Sequence, residues 1–276
     1  FCMILLYNRI QVKRREIVMK RTVFLAAVAL SLLLVSCGLE SATGGADAAS
    51  GTYQEIETGY PLKQIAVSEG KRWALTADNE VLAAENGKED FRCVRKIEGM
   101  YSGTDGFVNV CFVDAQTAYA AYFSEDGRSV VVERTSDGGE SWEQTSLVYG
   151  DYGEVCDAGS VYLSFFDDEN GYIGVSYHGE DSYLYRTENA GAEWRSEKLP
   201  VQDESISYID GYAPVFYGEN GTGMIVLKAV GESASYRLFL TEDYGAAWKA
   251  AGELPLESVQ GYAADGVGRL LFVDGM

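Results

Sequence analysis

Histidine, proline and cysteine are scarce in this sequence, and the shortage removes several classes of site. His178 is the only histidine, so a catalytic triad that uses histidine or a metal site of several histidines cannot form. The chain has 4 prolines and 5 cysteines among 276 residues, and no CxxC pair that would indicate a zinc ribbon. Phosphate-binding glycine loops of the P-loop or dinucleotide type are also lacking. We therefore expect no cofactor and no metal.

Positive charge is the second shortage. The chain has 22 Lys+Arg against 42 Asp+Glu. Six of the basic residues precede residue 37, and the remainder has 16 basic and 41 acidic residues, a formal charge of −25. Such a surface repels nucleic acid at long range, so nucleic acid is not an expected partner. Hydrophobic residues make up 47% of the chain, which predicts a folded protein.

Residues 19–36 are typical of a secretory signal. Lys20 and Arg21 precede an apolar run from Val23 to Val35, which is short for a membrane-spanning helix. The exit from the run, Leu-Val-Ser-Cys ending at Cys37, resembles the lipobox of bacterial lipoproteins. The resemblance implies lipidation of Cys37 and a location in the cell envelope, on the extracytoplasmic side of a bacterial membrane. An ordinary signal peptide or a single anchor helix is the alternative.

The chain divides into four parts by composition. Residues 1–18 begin without methionine and fit no targeting pattern, so we interpret them as upstream sequence translated in frame. The signal peptide occupies 19–36, and the small, polar stretch 37–52 predicts a flexible tether. Residues 53–276 form the folded part. Its three cysteines, Cys93, Cys111 and Cys156, leave open whether one pair is bridged.

A repeated motif organises the folded part. The pattern Thr-x-Asp/Asn-x-Gly-x-x-Trp occurs three times at nearly equal spacing. We call these segments the box turns; their defining residues are Thr135, Asp137, Gly139, Trp142, Thr187, Asn189, Gly191, Trp194, Thr241, Asp243, Gly245 and Trp248. An eroded copy, 84–91, retains Asn86 and Phe91. In each turn the Asp or Asn oxygen can accept backbone hydrogen bonds, the Gly permits a positive φ, and the Trp packs beneath. We assign these residues a structural role and no catalytic one.

A second landmark recurs in phase with the box turns. Phenylalanines at positions 112, 165, 216 and 272 follow a similar spacing, each within an apolar segment, and the last interval is the longest. Every repeat therefore contains four short strands, with the box turn between the third and the fourth. This pattern predicts an all-β β-propeller of four-stranded antiparallel blades, with about four blades and one further strand present. A β-sandwich is the alternative architecture.

The box turns resemble the Asp boxes, or bacterial neuraminidase repeats, of the sialidase-like superfamily of propellers. Similar boxes occur in sortilin-type receptors and in propellers that resemble photosystem II assembly factors. The resemblance covers residues from about Gln64 to Met276 and implies a propeller with more blades than this chain contains. We therefore expect the propeller to be truncated within a fifth blade, and closure by residues 53–56 is the alternative.

The loops between successive repeats are expected to lie opposite the box turns, on the side where propellers usually bind ligands. Carboxylates in these loops, at Asp105, Asp157, Asp210 and Asp265, mostly precede glycine and are interpreted as turn residues. The tyrosines of these loops, together with their other carboxylates, suit a sugar or a protein partner. The candidate ligand residues are Tyr101, Tyr149, Asp151, Tyr152, Tyr208, Tyr212 and Tyr262.

Three functions are consistent with these features. The first is a non-catalytic, surface-exposed lipoprotein propeller that binds a glycan, peptide or protein partner. The second is a sialidase-type exo-glycosidase, for which the resemblance implies an arginine triad, a Tyr-Glu pair and an Asp acid; the segment that supplies the first arginine has no counterpart before the first box. The third is an extracytoplasmic assembly factor for a membrane complex.

Overall fold

The computed structural model describes residues 62–273, with gaps at 69, 86–87, 89, 102–107, 149–159, 176–182, 202–204, 218–219, 257, 260 and 265–269. The predicted lipidation site Cys37, the signal segment and the tether lie outside this range. All regular structure in the described part is β-strand. Across the same residues we found no helix of the length and apolarity that a membrane crossing requires.

The first two sheets are each formed by four consecutive antiparallel strands. The first sheet has the order β1-β2-β3-β4 and the second the order β5-β6-β7-β8. These strands are β1 (Leu62–Ser68), β2 (Lys71–Thr76), β3 (Glu80–Glu85), β4 (Arg92–Lys96), β5 (Asn109–Phe112), β6 (Ala118–Phe123), β7 (Ser129–Thr135) and β8 (Glu143–Val148).

The third and fourth sheets repeat the pattern with one change. The third has the order β9-β10-β11-β12; in the fourth, two short strands, β13 and β14, pair with different halves of β15, which is followed by β16 and β17. Their bounds are β9 (Val161–Phe165), β10 (Gly171–Val175), β11 (Leu184–Thr187), β12 (Arg195–Glu197), β13 (Tyr208–Gly211), β14 (Val215–Phe216), β15 (Gly223–Val230), β16 (Ala234–Thr241) and β17 (Lys249–Leu254).

The end of the described chain corrects one prediction. The segment around Phe272 was expected to be a lone first strand of a new repeat. Instead β18 (Gly261–Ala264) pairs antiparallel with β19 (Leu270–Val273), so this segment is the second strand of a two-stranded sheet. The longer interval before Phe272 reflects this shift from first to second strand.

Burial within each sheet depends on the position of the strand. All six residues of β6 are buried, because other sheets cover both faces of this central strand. In β17, the outermost strand of the fourth sheet, five of six residues are exposed. The sequence of β17, with two alanines and a glycine, offers little apolar area for burial. A continuous apolar strand therefore marks the middle of a sheet, and a polar one its outer edge.

The hydrophobic core consists of separate clusters between consecutive sheets. One cluster joins Trp73 and Val81 of the first sheet to Phe112 of the second. Further clusters lie between the second and third sheets and between the third and fourth. A last cluster joins Val226 of the fourth sheet to Tyr262 of β18. Four-stranded antiparallel sheets that pack face to face in chain order form a β-propeller, and this is the fold of the chain.

Glycine allows the first strand of the fourth sheet and the residue that follows it to approach the third sheet closely. A Cβ at Gly174 would overlap the carbonyl group of Tyr212, and one at Gly211 would overlap the carbonyl oxygen of Tyr183. Backbone therefore contacts backbone between these sheets, which only glycine permits.

Candidate functional site

The three box turns share one hydrogen-bond pattern centred on the threonine. Thr135 Oγ1 donates to Asp137 Oδ1 and accepts from the backbone N–H of Gly139, at 2.8 Å in both cases. Thr187 and Thr241 make the equivalent bonds to Asn189 and Asp243 and accept from the glycine N–H groups four residues on. Each threonine is buried, with at most 2% of its surface exposed. The threonine hydroxyl therefore satisfies buried backbone groups in every turn.

The Asp or Asn of each box accepts a further hydrogen bond from the backbone N–H four residues on, at 2.9 Å. These bonds favour the carboxylate, so the pKa of Asp137 is held below its usual range, chiefly by the Ser141 hydroxyl. The pKa of Asp243 is lowered as well, with the Thr241 hydroxyl as the main cause. The hydrogen bonds expected from the sequence pattern are thus present in all three turns.

One difference separates the first box turn from the third. Ser141 Oγ donates to Asp137 Oδ2 at 2.5 Å. Alanine, Ala247, occupies the equivalent position of the third turn, and no side-chain donor among the described residues reaches Asp243 Oδ2. Asp243 therefore keeps one carboxylate oxygen available as an acceptor.

The box tryptophans pack beneath their turns. The Trp194 ring meets Phe165 edge-on at 6.1 Å between centroids, and Trp248 meets Tyr172 in the same way at 6.5 Å. Trp142 packs against the cluster between the first and second sheets. In the eroded box, the Arg72 guanidinium lies over the Phe91 ring at 5.2 Å, while Asn86 lies outside the described residues. An aromatic ring thus remains at this position in the repeat, although the threonine and the glycine of the motif are replaced by Ala84 and Lys88.

Three of the candidate ligand residues, Tyr149, Asp151 and Tyr152, lie outside the described residues, so their role stays a prediction. Tyr101 is half-buried and packs against the cluster between the second and third sheets. Tyr208 is half-buried at the start of β13, a strand rather than the expected loop. Asp210, expected in a turn, also lies in β13, where it forms an ion pair with Lys228 at 3.4 Å.

Tyr212 is buried and Tyr262 is partly buried, with both hydroxyl groups bonded to backbone, which corrects their assignment to an exposed ligand face. Only 6% of Tyr212 is exposed, and its hydroxyl donates to the carbonyl oxygen of Val259 at 2.9 Å. The Tyr262 hydroxyl donates to the carbonyl oxygen of Ala213 at 2.6 Å and accepts from the N–H of Val226. Burial raises the pKa of both tyrosines above their usual range.

These two tyrosines belong to a row that starts with Tyr162. The Tyr162 and Tyr212 rings lie 4.7 Å apart, and the Tyr212 and Tyr262 rings lie 6.0 Å apart. The three residues are equally spaced in the sequence. This regular spacing was the signal that could have placed them in equivalent core positions rather than in a ligand-binding loop.

A cavity of about 460 Å³ lies between the third and fourth sheets, on the side of the box turns. Its walls come from the turn between β9 and β10, from the end of β11 and from the third box turn. The lining residues are Phe166, Asp167, Asn170, Arg186, Asp243 and Tyr244. A cavity of this size is within the range of small-molecule sites.

Two aromatic rings form one wall of the cavity. Phe166 and Tyr244 are stacked, with centroids 4.8 Å apart and planes inclined by 24°. Phe216 supports them from behind, 4.8 Å from Phe166 and 6.0 Å from Tyr244. Tyr244 has a φ of +54°, and its carbonyl oxygen accepts from the hydroxyl of Tyr172. The backbone of the third box turn thus fixes the position of the Tyr244 ring.

A guanidinium contributes the donors of the cavity. Arg186 lies 3.3 Å from Glu188 and 3.6 Å from Glu197, and its charge also sits over the Tyr172 ring at 5.6 Å. Its Nε is buried and makes no hydrogen bond within the described residues. Burial raises the pKa of Glu197, and the neighbouring Arg186 opposes this rise. Two carboxylates therefore hold the guanidinium in place, and one of them, Glu188, also pairs with Arg195.

Carboxylate and amide oxygens provide acceptors in the cavity. Asp167 is engaged by its own turn, since its carboxylate accepts from the N–H groups of Glu169 and Asn170 and from Nδ2 of Asn170. Asn170 Oδ1 and Asp243 Oδ2 have no side-chain donor within the described residues. No group of three or more metal-ligating side chains converges among the described residues. The cavity therefore offers an aromatic wall that includes the Tyr244 phenol, one fixed cation and the acceptor oxygens Asn170 Oδ1 and Asp243 Oδ2.

Sequence reasoning missed this cavity. Asp167 lies in a turn that is stabilised by its own hydrogen bonds, and Tyr244, its neighbour in the cavity, belongs to the next repeat and is far from it in the chain. The box turns were assigned to a side without ligand-binding function, and the cavity lies on that side. Tyr244 itself carried a signal, because an aromatic residue is unusual where the other two boxes have Gly138 and Ala190.

No family model and no curated protein sequence matches this chain. Solved structures do resemble its fold. An oligogalacturonate lyase in complex with manganese aligns with a TM-score of 0.49 and 9% identity, over 75% of this chain and 57% of that one. An α-L-arabinanase of Penicillium chrysogenum, complexed with arabinobiose, aligns with a TM-score of 0.46 and 12% identity, over 75% and 72%. A GH74 xyloglucanase of Xanthomonas campestris aligns with a TM-score of 0.37 and 14% identity, over 71% and 38%. This chain spans little more than half the length of the oligogalacturonate lyase.

Proposed function

We propose that the protein is a non-catalytic, lipid-anchored propeller that binds a glycan, peptide or protein partner outside a bacterial membrane. We further propose the cavity between the third and fourth sheets as its binding site. The observation that carries the proposal is the combination of the Phe166–Tyr244 wall with Arg186, Asn170 and Asp243 in one cavity of about 460 Å³. An apolar surface with a few fixed polar groups is typical of binding sites.

The three box turns and the four-stranded sheets support membership in the sialidase-like propellers with Asp boxes. The lipobox-like segment at Cys37 supports anchoring in the cell envelope. A role as an assembly factor for a membrane complex is a special case of the same proposal, in which the ligand is a protein.

The lowered pKa of Asp243 does not support a general acid at this position of the cavity. A general acid needs a carboxyl group whose pKa is raised towards the working pH. Hydrogen bonds lower the pKa of Asp243, so this residue holds no proton at neutral pH. The pKa of Glu197 is raised, but Glu197 faces Arg186 and is not among the lining residues.

The arginines give the exo-glycosidase alternative little support. A sialidase-type site needs arginines that are available to a substrate carboxylate. Arg95 is instead bound by Glu133, and Arg186 by Glu188 and Glu197. Arg134 lies over the Tyr119 ring. We therefore keep glycosidase activity as the alternative function, which would replace the proposed binding function if hydrolysis were measured.

The binding function is tested by presenting the full-length protein to a glycan array and to solubilised envelope proteins. We expect a ligand that binds the wild type and is lost in the variant Tyr244→Asn, which removes the ring but tolerates the positive φ. Ser141→Ala serves as the control, because it alters the equivalent turn of the second sheet. Hydrolysis of sialosides by the wild type, or a ligand that Tyr244→Asn does not affect, would overturn the proposal.

The anchor is tested separately by metabolic labelling with a radioactive fatty acid. We expect label on the wild-type protein and its recovery in the membrane fraction. The variant Cys37→Ala should carry no label and leave the membrane fraction. Membrane association that persists in Cys37→Ala would show that another segment holds the protein there.

A further inference from the structure

We infer that the cavity between the third and fourth sheets binds an uncharged saccharide of about two rings, with Tyr244, Arg186 and Asp243 as the residues that determine specificity. The inference rests on the proposed binding function and specifies the ligand of that site. It is built from three observations: the charge of the cavity, the pairing of its polar groups and its size.

The charges in and around the cavity exclude an anionic ligand. Asp167 and Asp243 line it, and Glu188 and Glu197 flank Arg186, the one cation among its described lining residues. Glu188 also pairs with Arg195, so a carboxylate or phosphate would meet two guanidiniums that are compensated by two carboxylates, together with the two further negative side chains. Its desolvation would not be offset by a free positive charge. Uronates and sialic acids are therefore poor ligands for this site.

A cationic ligand is disfavoured for a different reason. The Asp167 carboxylate is occupied by N–H groups of its own turn. An ammonium group would then face the two available acceptors, Asp243 Oδ2 and Asn170 Oδ1, together with the positive charge of Arg186. The guanidinium is held in place by Glu188 and Glu197 and cannot turn away freely.

A hydroxyl group fits this mixture of fixed donors and acceptors, because it donates one hydrogen bond and accepts others. Neighbouring hydroxyls of a sugar could donate to Asp243 Oδ2 and Asn170 Oδ1 and accept from Arg186. The apolar face of the ring would lie against the Phe166–Tyr244 wall, as apolar surface packs on aromatic rings. A volume of about 460 Å³ suits roughly two sugar rings.

Among the three box turns, only the third has the features that the proposed saccharide site needs. Its fourth position is Tyr244, where the other turns have Gly138 and Ala190, so only this turn adds a ring to the surface. Its seventh position is Ala247, which leaves Asp243 Oδ2 without the hydroxyl that Ser141 provides to Asp137. The sequence therefore departs from the first turn at both points that the site needs.

Three disaccharides of similar size and different charge provide the test: neutral N,N'-diacetylchitobiose, its cationic deacetylated counterpart chitobiose, and anionic digalacturonate. Xylobiose and cellobiose extend the neutral series. Binding to the full-length protein is measured by isothermal titration calorimetry. We expect at least one neutral disaccharide to bind, with roughly five- to tenfold weaker binding by Tyr244→Asn.

The variant Ala247→Ser provides the sharper test, because it supplies a hydroxyl to occupy Asp243 Oδ2 without disturbing the turn. We expect weaker binding of the neutral disaccharide by Ala247→Ser and a melting temperature at or above that of the wild type. Ser141→Ala, the converse change in the second sheet, should leave binding unchanged.

The outcomes separate the inference from the proposed function. If a charged disaccharide, or a peptide from the envelope screen, binds and Tyr244→Asn abolishes this binding, the cavity is the site but the inferred ligand class is wrong. If a neutral disaccharide binds equally well to the wild type, Tyr244→Asn and Ala247→Ser, the location of the site is wrong. If no disaccharide binds, the inference fails, while the envelope screen still decides the binding function.

Discussion

The interface between the first and second sheets and the interface between the third and fourth use different chemistry around apolar cores. In the first, Lys71 reaches across to the carbonyl oxygen of Gly138 at 2.7 Å, and Arg95 forms two hydrogen bonds of 2.6 Å to the buried Glu133. In the interface between the third and fourth sheets, the hydroxyl of Tyr172 donates to the equivalent carbonyl oxygen, that of Tyr244, at 3.0 Å.

The comparison shows that one structural task can be done by unlike residues. Lys71 and Tyr172 both connect a central strand to the next sheet's box turn, although one is charged and the other aromatic. At the interface between the first and second sheets, which we call the charged interface, the Lys71 side chain occupies the space that a Cβ at Gly138 would need. At the interface between the third and fourth sheets, which we call the aromatic interface, Tyr244 is the large residue at the equivalent position, and a cavity lies beside it. The cavity proposed as a binding site thus lies where the repeat departs from its simplest form.

The largest effect on stability is expected from a substitution that disrupts the aromatic interface. Tyr172 is fully buried and touches Phe216 and Trp248. Tyr172→Ala should lower the free energy of unfolding by about 3–5 kcal/mol, because it leaves a cavity among packed rings. Tyr172→Phe keeps the ring and loses one hydrogen bond, so it should cost only about 1 kcal/mol. Urea unfolding followed by tryptophan fluorescence measures both, and equal losses would show that the hydroxyl rather than the ring stabilises this interface.

The next largest effect on stability is expected from a substitution that disrupts the charged interface. Glu133 is only 1% exposed and binds both Arg95 and the Tyr122 hydroxyl. Arg95→Met should cost about 3 kcal/mol, because it leaves a buried carboxylate without its cation. The same urea titration should show most of this loss restored when Glu133→Leu and Tyr122→Phe are added, since the polar groups are then removed together. Additive losses in the combined variant would contradict a coupled ion pair.

A smaller effect distinguishes the box turns by pH. The pKa values of Asp137 and Asp243 are lowered in the fold, so their stabilising contribution is complete above the usual value of 3.8 and is lost as the pH falls below it. The second box turn has Asn189, which does not titrate. We expect the melting temperature to fall between pH 5 and pH 2 less steeply in Asp137→Asn than in the wild type.

The converse variant controls this prediction. Asn189→Asp places a titrating group in the second turn with the same hydrogen-bond partners, so it should steepen the fall in melting temperature over the same pH range. An unchanged profile in both variants would show that the box carboxylates do not govern acid stability.

The smallest effect concerns the backbone of the box turns. Ala190 has a φ of +58°, a left-handed conformation that is unfavourable for a residue with a Cβ. Ala190→Gly should therefore raise the free energy of unfolding by up to about 1 kcal/mol. Gly138→Ala should lower it, because Gly138 has a φ of +72° and Lys71 occupies the space of the added methyl group. Chemical denaturation of the two variants compares the first and second box turns directly.

Much of the fold followed from the sequence because its signals are local. Each box turn is a closed set of hydrogen bonds within a few consecutive residues, such as Thr135 to Gly139, and it needs no information from elsewhere. The strands on either side of it were recognisable from their apolar residues. The fifth sheet was misjudged because the Phe272 segment resembles a first strand but pairs with β18 as a second.

The candidate site was not predictable in the same way. Its walls come from the turn after β9 and from the third box turn, and both segments look like ordinary turns in the sequence. Tyr212 and Tyr262 looked like ligand-binding residues because tyrosine suits both an exposed loop and a core position. Only their burial and their hydrogen bonds to Val259 and Ala213 distinguish the two roles.

The sequence by itself therefore determined the repeat, the hairpin at each box turn and the division of each repeat into four strands, since these depend on residues close together in the chain. The tertiary structure alone decided which sheets use charged and which use aromatic contacts, which tyrosines are buried, and where a cavity remains. These features depend on how neighbouring sheets meet, and residues such as Asp167 and Tyr244 are brought together only by the packing of one sheet on the next.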